Sequence, residues 1–137
     1  MALPPRAYYS VTDLTYRWEC SFADLAGWAA VERFDIMTLL SPIRIGAKRV
    51  GGFVILSVAD VFPMFRGHSG APEEVRVTRL KDAAGNDWID LEELSEGKVV
   101  MVRLDDLLVL AEQVREFEVE HDLLRRPASH IGASARY

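Results

Sequence analysis

The chain has 137 residues, half of them apolar, with a formal net charge of −5 and a single cysteine. That is room for one or two small domains with a core, and it excludes wholesale disorder and an intrachain disulfide framework. No apolar run reaches the roughly 18 residues of a membrane span, and MALPPRAYYS lacks the apolar block of a secretory signal, so a cytoplasmic protein without membrane contact is expected.

Residues 1–7, with Pro4 and Pro5, read as an irregular lead-in. Tyr8 to Phe34 reads as two short helices around a tight turn. Ser10 is placed to cap the first helix, with Asp13 at capping-box spacing. Leu14 and Trp18 then share one face. Glu19 and Cys20 form the break. Ser21 opens the second helix with Asp24 three positions on, and Leu25 and Trp28 share its inner face. Two capped helices joined by a turn of about three or four residues make a helix-turn-helix.

Val11, Leu14, Arg17 and Trp18, followed by Ser21, Leu25, Trp28, Arg33 and Phe34, form a pattern that resembles MerR-type and excisionase-type DNA-binding domains over about 27 residues. The resemblance implies a second helix in the major groove and a following β-wing on the backbone. Two positions depart from it: Glu19 and Glu32 stand where that family often has glycine. The outward positions of the second helix are drawn from Phe22, Ala23, Asp24, Ala26, Gly27, Ala29 and Ala30. None is a base-reading residue type.

Phe34 to Leu40 reads as a strand broken by Ser41-Pro42. Ile43 and Ile45 alternate around Arg44, and Gly46 to Arg49 reads as a turn. Gly51-Gly52 is a further break, within a returning strand from Val50 to Leu56. This hairpin serves either as a wing, with Arg44, Lys48 and Arg49 on phosphates, or as a cover for the helices. Ser57 and Asp60 repeat the capping-box spacing before a helix limited by Pro63. Residues 74–80 and 88–91 read as a β-hairpin, and Val99 to Leu104 as another strand.

Asp105 to about Arg125 reads as the longest helix, with Leu107, Leu110, Ala111, Val114, Phe117, His121 and Leu124 on one face. Its first half is expected on the chain's own sheet. Phe117, His121 and Leu124 are expected at a homodimer interface, in line with the C-terminal pairing helix that the MerR-type resemblance implies. Pro127 stops it, and residues 127–137 read as a tail. The expected architecture is α+β. Residues 8–52 hold the helix-turn-helix with its wing, and residues 53–126 a small antiparallel sheet with the amphipathic helix.

Charge is uneven: residues 1–50 carry +1 and residues 51–137 carry −6. His68, His121 and His130 share no ligand spacing, and His68 beside Ser69 lacks an orienting acid. Asp87, Asp90, Glu92, Glu93 and Glu96 match no calcium loop. Glycine-rich phosphate loops are absent, and Cys20 reads as a small buried hydrophobe. No cofactor, metal or catalytic residue is expected. The leading expectation is a dimeric regulator that binds double-stranded DNA, with contacts from Arg17, Ser21, Phe22, Ala23, Arg33, Arg44, Lys48 and Arg49. The alternative is a protein-interaction module on the same scaffold.

Overall fold

The computed structural model describes residues 6–45, 48–66, 70–83, 85, 87–91 and 99–121. His68, Ser69, Glu92, Glu93, Glu96, Leu124, His130 and the expected tail lie outside these residues. The fold mixes helices with two antiparallel sheets. Strand β1 (Tyr8–Ser10) leads into helices α1 (Val11–Arg17) and α2 (Phe22–Ala30). A hairpin of β2 (Met37–Ile45) and β3 (Lys48–Leu56) follows. Helix α3 (Val58–Val61) runs into a 3-10 turn over Phe62–Arg66. Then come β4 (Glu74–Val77), β5 (Arg79–Asp82), β6 (Ile89–Asp90) and β7 (Val100–Arg103). A 3-10 turn (Leu104–Asp106), β8 (Leu108–Leu110) and α4 (Ala111–His121) complete the described chain.

The larger sheet has the order β1-β8-β2-β3-β5-β6, and β4 pairs with β7 in a smaller one. Pairing of β1 with β8 brings the two ends of the described chain together. The Ala111 N–H donates to Ala7 and the Val11 N–H to Leu107, each at 3.0 Å. The boundary expected after residue 52 falls inside β3. One cluster of buried side chains runs from Val11 to Phe117 across it.

The first two capping boxes form in full. The Ser10 hydroxyl accepts from the Asp13 N–H at 3.0 Å, and the Asp13 carboxylate accepts from the Ser10 N–H. Ser21 and Asp24 exchange the same pair of bonds, both at 3.0 Å. Each box satisfies two of the donors that a helix start leaves open. The third spacing does not form a box: Ser57 makes no side-chain cap bond. Asp60 instead accepts from the N–H and hydroxyl of Thr78, both at 2.9 Å, tying α3 to the residue between β4 and β5.

Several expected boundaries move. Ser41-Pro42 and Gly51-Gly52 do not end strands; they face each other across one continuous hairpin. The register passes from Leu40 opposite Gly52 to Ile43 opposite Val50, so Ser41 and Pro42 together oppose Gly51. This is a bulge, where a proline costs no ladder bond. A Cβ on Gly51 would lie 2.8 Å from the Pro42 Cα, so only glycine fits beneath it. The expected pairing of residues 74–80 with 88–91 holds only for β5 with β6; β4 pairs with β7. The C-terminal helix begins at Ala111, not Asp105. Asp106 caps the preceding 3-10 turn by accepting from the Arg103 N–H at 2.9 Å, and Leu108 to Leu110 are extended as β8.

Every described helix enters the core from one side of the larger sheet. Val11, Leu14, Leu25, Ala29, Phe65, Val114 and Phe117 meet Val54, Leu56, Leu80 and Val109 there. The alternating strand positions point to the other side. They are Tyr8, Met37, Leu39, Phe53, Ile55, Leu108 and Leu110, and none belongs to that core cluster.

Candidate nucleic-acid interface

Helix α2 keeps one face to solvent, but its chemistry is poor. Ala23, Asp24, Gly27 and Ala30 are exposed, while Leu25, Ala26 and Ala29 are buried. Ala26 and Ala29, expected among the outward candidates, are therefore core residues. Phe22 turns inward as well, its ring edge-on to Phe65 at 6.2 Å. The Ser21 hydroxyl and the Asp24 carboxylate are engaged in the cap. No long donor side chain is left on the outer face of α2 for a base edge.

The arginines expected beside α2 are spoken for. Glu118 on α4 is 5% exposed and takes the Arg17 guanidinium through both carboxylate oxygens, Nη2 at 3.0 Å. The Trp18 indole N–H donates to the same carboxylate at 2.7 Å. Burial alone would raise the Glu118 carboxyl, but the bonds from Arg17 and Trp18 and the arginine's charge outweigh it and hold the group below its ordinary value. The same bond raises Arg17 against the opposing effect of burial. Arg17 also lies over the Tyr9 ring at 5.0 Å. Arg33 stands 3.9 Å from Glu120. Arg17 is held within its own chain, whereas Arg33 stays half exposed beside Glu120.

Phe117, expected to face a partner subunit, is buried in its own chain. Its ring lies 4.7 Å from Trp18, 5.1 Å from Trp28 and 5.4 Å from Phe34, so both tryptophans of the motif and α4 share one aromatic cluster. His121 packs on the rim of that cluster, 4.3 Å from Phe117. Burial first, and Asp24 second, push the Cys20 thiol up to about 12, so it is protonated and unreactive at neutral pH.

Cationic side chains gather instead on the side of the larger sheet turned away from the helices, whose Met37 and Leu108 are buried. Arg44 and Arg49 are exposed and directly opposed in the β2–β3 ladder. Neither has an ion-pair partner among the described residues. Two like charges on one rung repel, so the tip of the hairpin favours an anion. Lys48 pairs with Ile45 on the neighbouring rung. Further along the same face, Arg79 and Lys81 alternate with buried Leu80 on β5. Both cations lie over the Trp88 ring, at 4.8 and 5.0 Å. Phe53 lies between these two cationic ends along β3, and Tyr8 of the edge strand β1 meets it edge to face at 5.7 Å. Among the described strand positions of this face, four cations accompany one acid, Asp90 opposite Arg79.

Of the expected contact residues, this face gathers Arg44 and Arg49; Arg17, Ser21, Phe22, Ala23 and Arg33 lie elsewhere in the fold. Tyr8, Phe53, Arg79, Lys81 and Trp88 were not expected at a site. A trace of them is present in the sequence: Arg79 and Lys81 flank Leu80 with strand periodicity. No group of three histidine, cysteine or acidic side chains among the described residues is placed to hold a metal ion. No described helix is long and apolar enough to cross a membrane. Compared with known proteins, the chain matches no family model, no curated protein and no solved structure.

Proposed function

We propose that this protein is a small DNA-binding regulator that holds the nucleic-acid backbone through the β2–β3 hairpin. On this reading α1, α2 and the hairpin are a helix-turn-helix scaffold with its wing. The observation that carries it is the pair Arg44 and Arg49, opposed at the hairpin tip and without an ion-pair partner among the described residues. Charge-assisted contacts from such a tip give affinity with little base readout. That agrees with an α2 surface of Ala23, Gly27 and Ala30.

A mobility-shift assay with duplex fragments at low salt tests the reading. Binding at micromolar protein is expected, weakening steeply as salt rises. Reversing both charges, Arg44→Glu with Arg49→Glu, removes two phosphate contacts and lowers the salt slope by about 2. No shift at micromolar protein, or a shift indifferent to the double variant, contradicts it.

A second reading rests on a different observation. The exposed positions of α2 continue into Val31, which is 62% exposed, and Tyr16 on α1 is 81% exposed. A surface of this kind, poor in cations, suits a protein partner. Homodimerisation through α4 would use what α4 leaves outside, around Val119, and not Phe117.

A further inference from the structure

We infer that the face of the larger sheet turned away from the helices is a platform for single-stranded nucleic acid. The inference rests on the proposed anionic partner but goes beyond it in naming the form of the polymer and a second set of contacts. Three aromatic rings lie on this face: Tyr8 is 38% exposed, Trp88 is 39% exposed, and Phe53 is half-buried against Tyr8. Leu39, 53% exposed, lies opposite Phe53. Arg44 and Arg49 stand at one end, and Arg79 and Lys81 at the other.

Flat rings between cations are what an unpaired strand needs. Its bases stack on aromatic faces, and its phosphates reach the flanking charges. A duplex hides its base faces and can use only the charges. From Arg49 to Ile55 the face runs six residues, about 20 Å at roughly 3.3 Å per residue, which is room for a few nucleotides. Trp88 is held by cations from β5, which fixes its ring on this face before any ligand arrives.

Charge separates this occupant from a second copy of the chain. Pairing the face with itself would set four cations against four, whereas a polyanion neutralises them. The chain's exposed acids on α4, Glu112, Glu116 and Glu120, belong to an element that packs on the opposite side of the sheet. The net charge of −5 therefore coexists with a basic face.

The test is fluorescence polarisation of a labelled twelve-nucleotide thymidine strand and of a twelve-base-pair duplex, titrated with the full chain at low salt. The single strand is expected to bind in the micromolar range and at least about tenfold more tightly than the duplex. Trp88→Ala and Tyr8→Ala should each weaken single-strand binding about fivefold or more. Phe53→Leu keeps an apolar side chain without the ring and should weaken it similarly, with the thermal midpoint serving as the folding control. Equal or tighter duplex binding, or single-strand binding that ignores all three ring variants, overturns this inference while leaving the duplex-binding proposal standing. Loss of both ligands in the wild-type chain overturns both. Self-association of the wild-type chain that is abolished by Trp88→Ala assigns the face to a second copy and overturns the inference too.

Discussion

Glu118 does more than any other single side chain to decide what the motif residues are for. A carboxylate this buried persists only with full compensation. Arg17 and Trp18 supply it, so Arg17, expected at a nucleic-acid surface, is held in an ion pair within its own chain. Because folding holds the Glu118 carboxyl below its ordinary value, the pair's contribution is complete above the usual carboxylate range, about pH 4.3. It is lost as pH falls through the lower folded value. Glu118→Gln should cost about 1–3 kcal/mol at neutral pH, discounted from a fully buried pair because Arg17 is a third exposed. It should also flatten the acid limb of the stability curve, measured by urea unfolding between pH 7 and 3. At the same scale, Glu19 and Glu32 have φ of 51° and 62°. These are the positions where the resembling family often has glycine. The left-handed conformation costs a side-chain-bearing residue about 1–2 kcal/mol, and glycine loses about 0.5–1 kcal/mol of that advantage through its freer unfolded chain. Glu19→Gly and Glu32→Gly should therefore each stabilise the fold by up to about 1 kcal/mol, seen as a higher unfolding midpoint.

Elements built by local chemistry were legible in the sequence; elements built by pairing were not. The two capping boxes at Ser10 and Ser21 involve residues three apart, and both form where the spacing places them. The third spacing failed because Asp60 found a distant partner in Thr78. Leu107, Leu110 and Val114 keep helical spacing on paper. Leu108 to Leu110 nevertheless form a strand, because β1 and β2 offer ladder partners on either side. The hairpin shows the same limit: Ser41-Pro42 and Gly51-Gly52 each read as a break, and only their opposition across the ladder makes them a bulge. Gly51→Ala should cost about 1–3 kcal/mol, because Pro42 has nowhere to move without disturbing the ladder. Chemical denaturation checks the cost. Amide exchange should show it concentrated in β2 and β3.

At the scale of the molecule, the sheet sorts charge as well as hydrophobicity. Helices and the aromatic cluster occupy one side, with α4 carrying exposed acids outward. The other side holds Tyr8, Phe53, Trp88 and four cations. Composition alone averages these into a net charge of −5, which is why only Arg44 and Arg49 of the basic face were visible in the sequence. Arg79, Lys81 and Trp88 join that face through strand order and register, which no short stretch of residues encodes. On the proposed reading, ligand meets this chain on the sheet and not on α2. Amide chemical-shift mapping during titration with the twelve-nucleotide strand tests it most directly. Shifts are expected at Arg44, Arg49, Phe53, Lys81 and Trp88, with Ala23, Gly27 and Ala30 unmoved. Shifts confined to α2 and its flanking turns would contradict it.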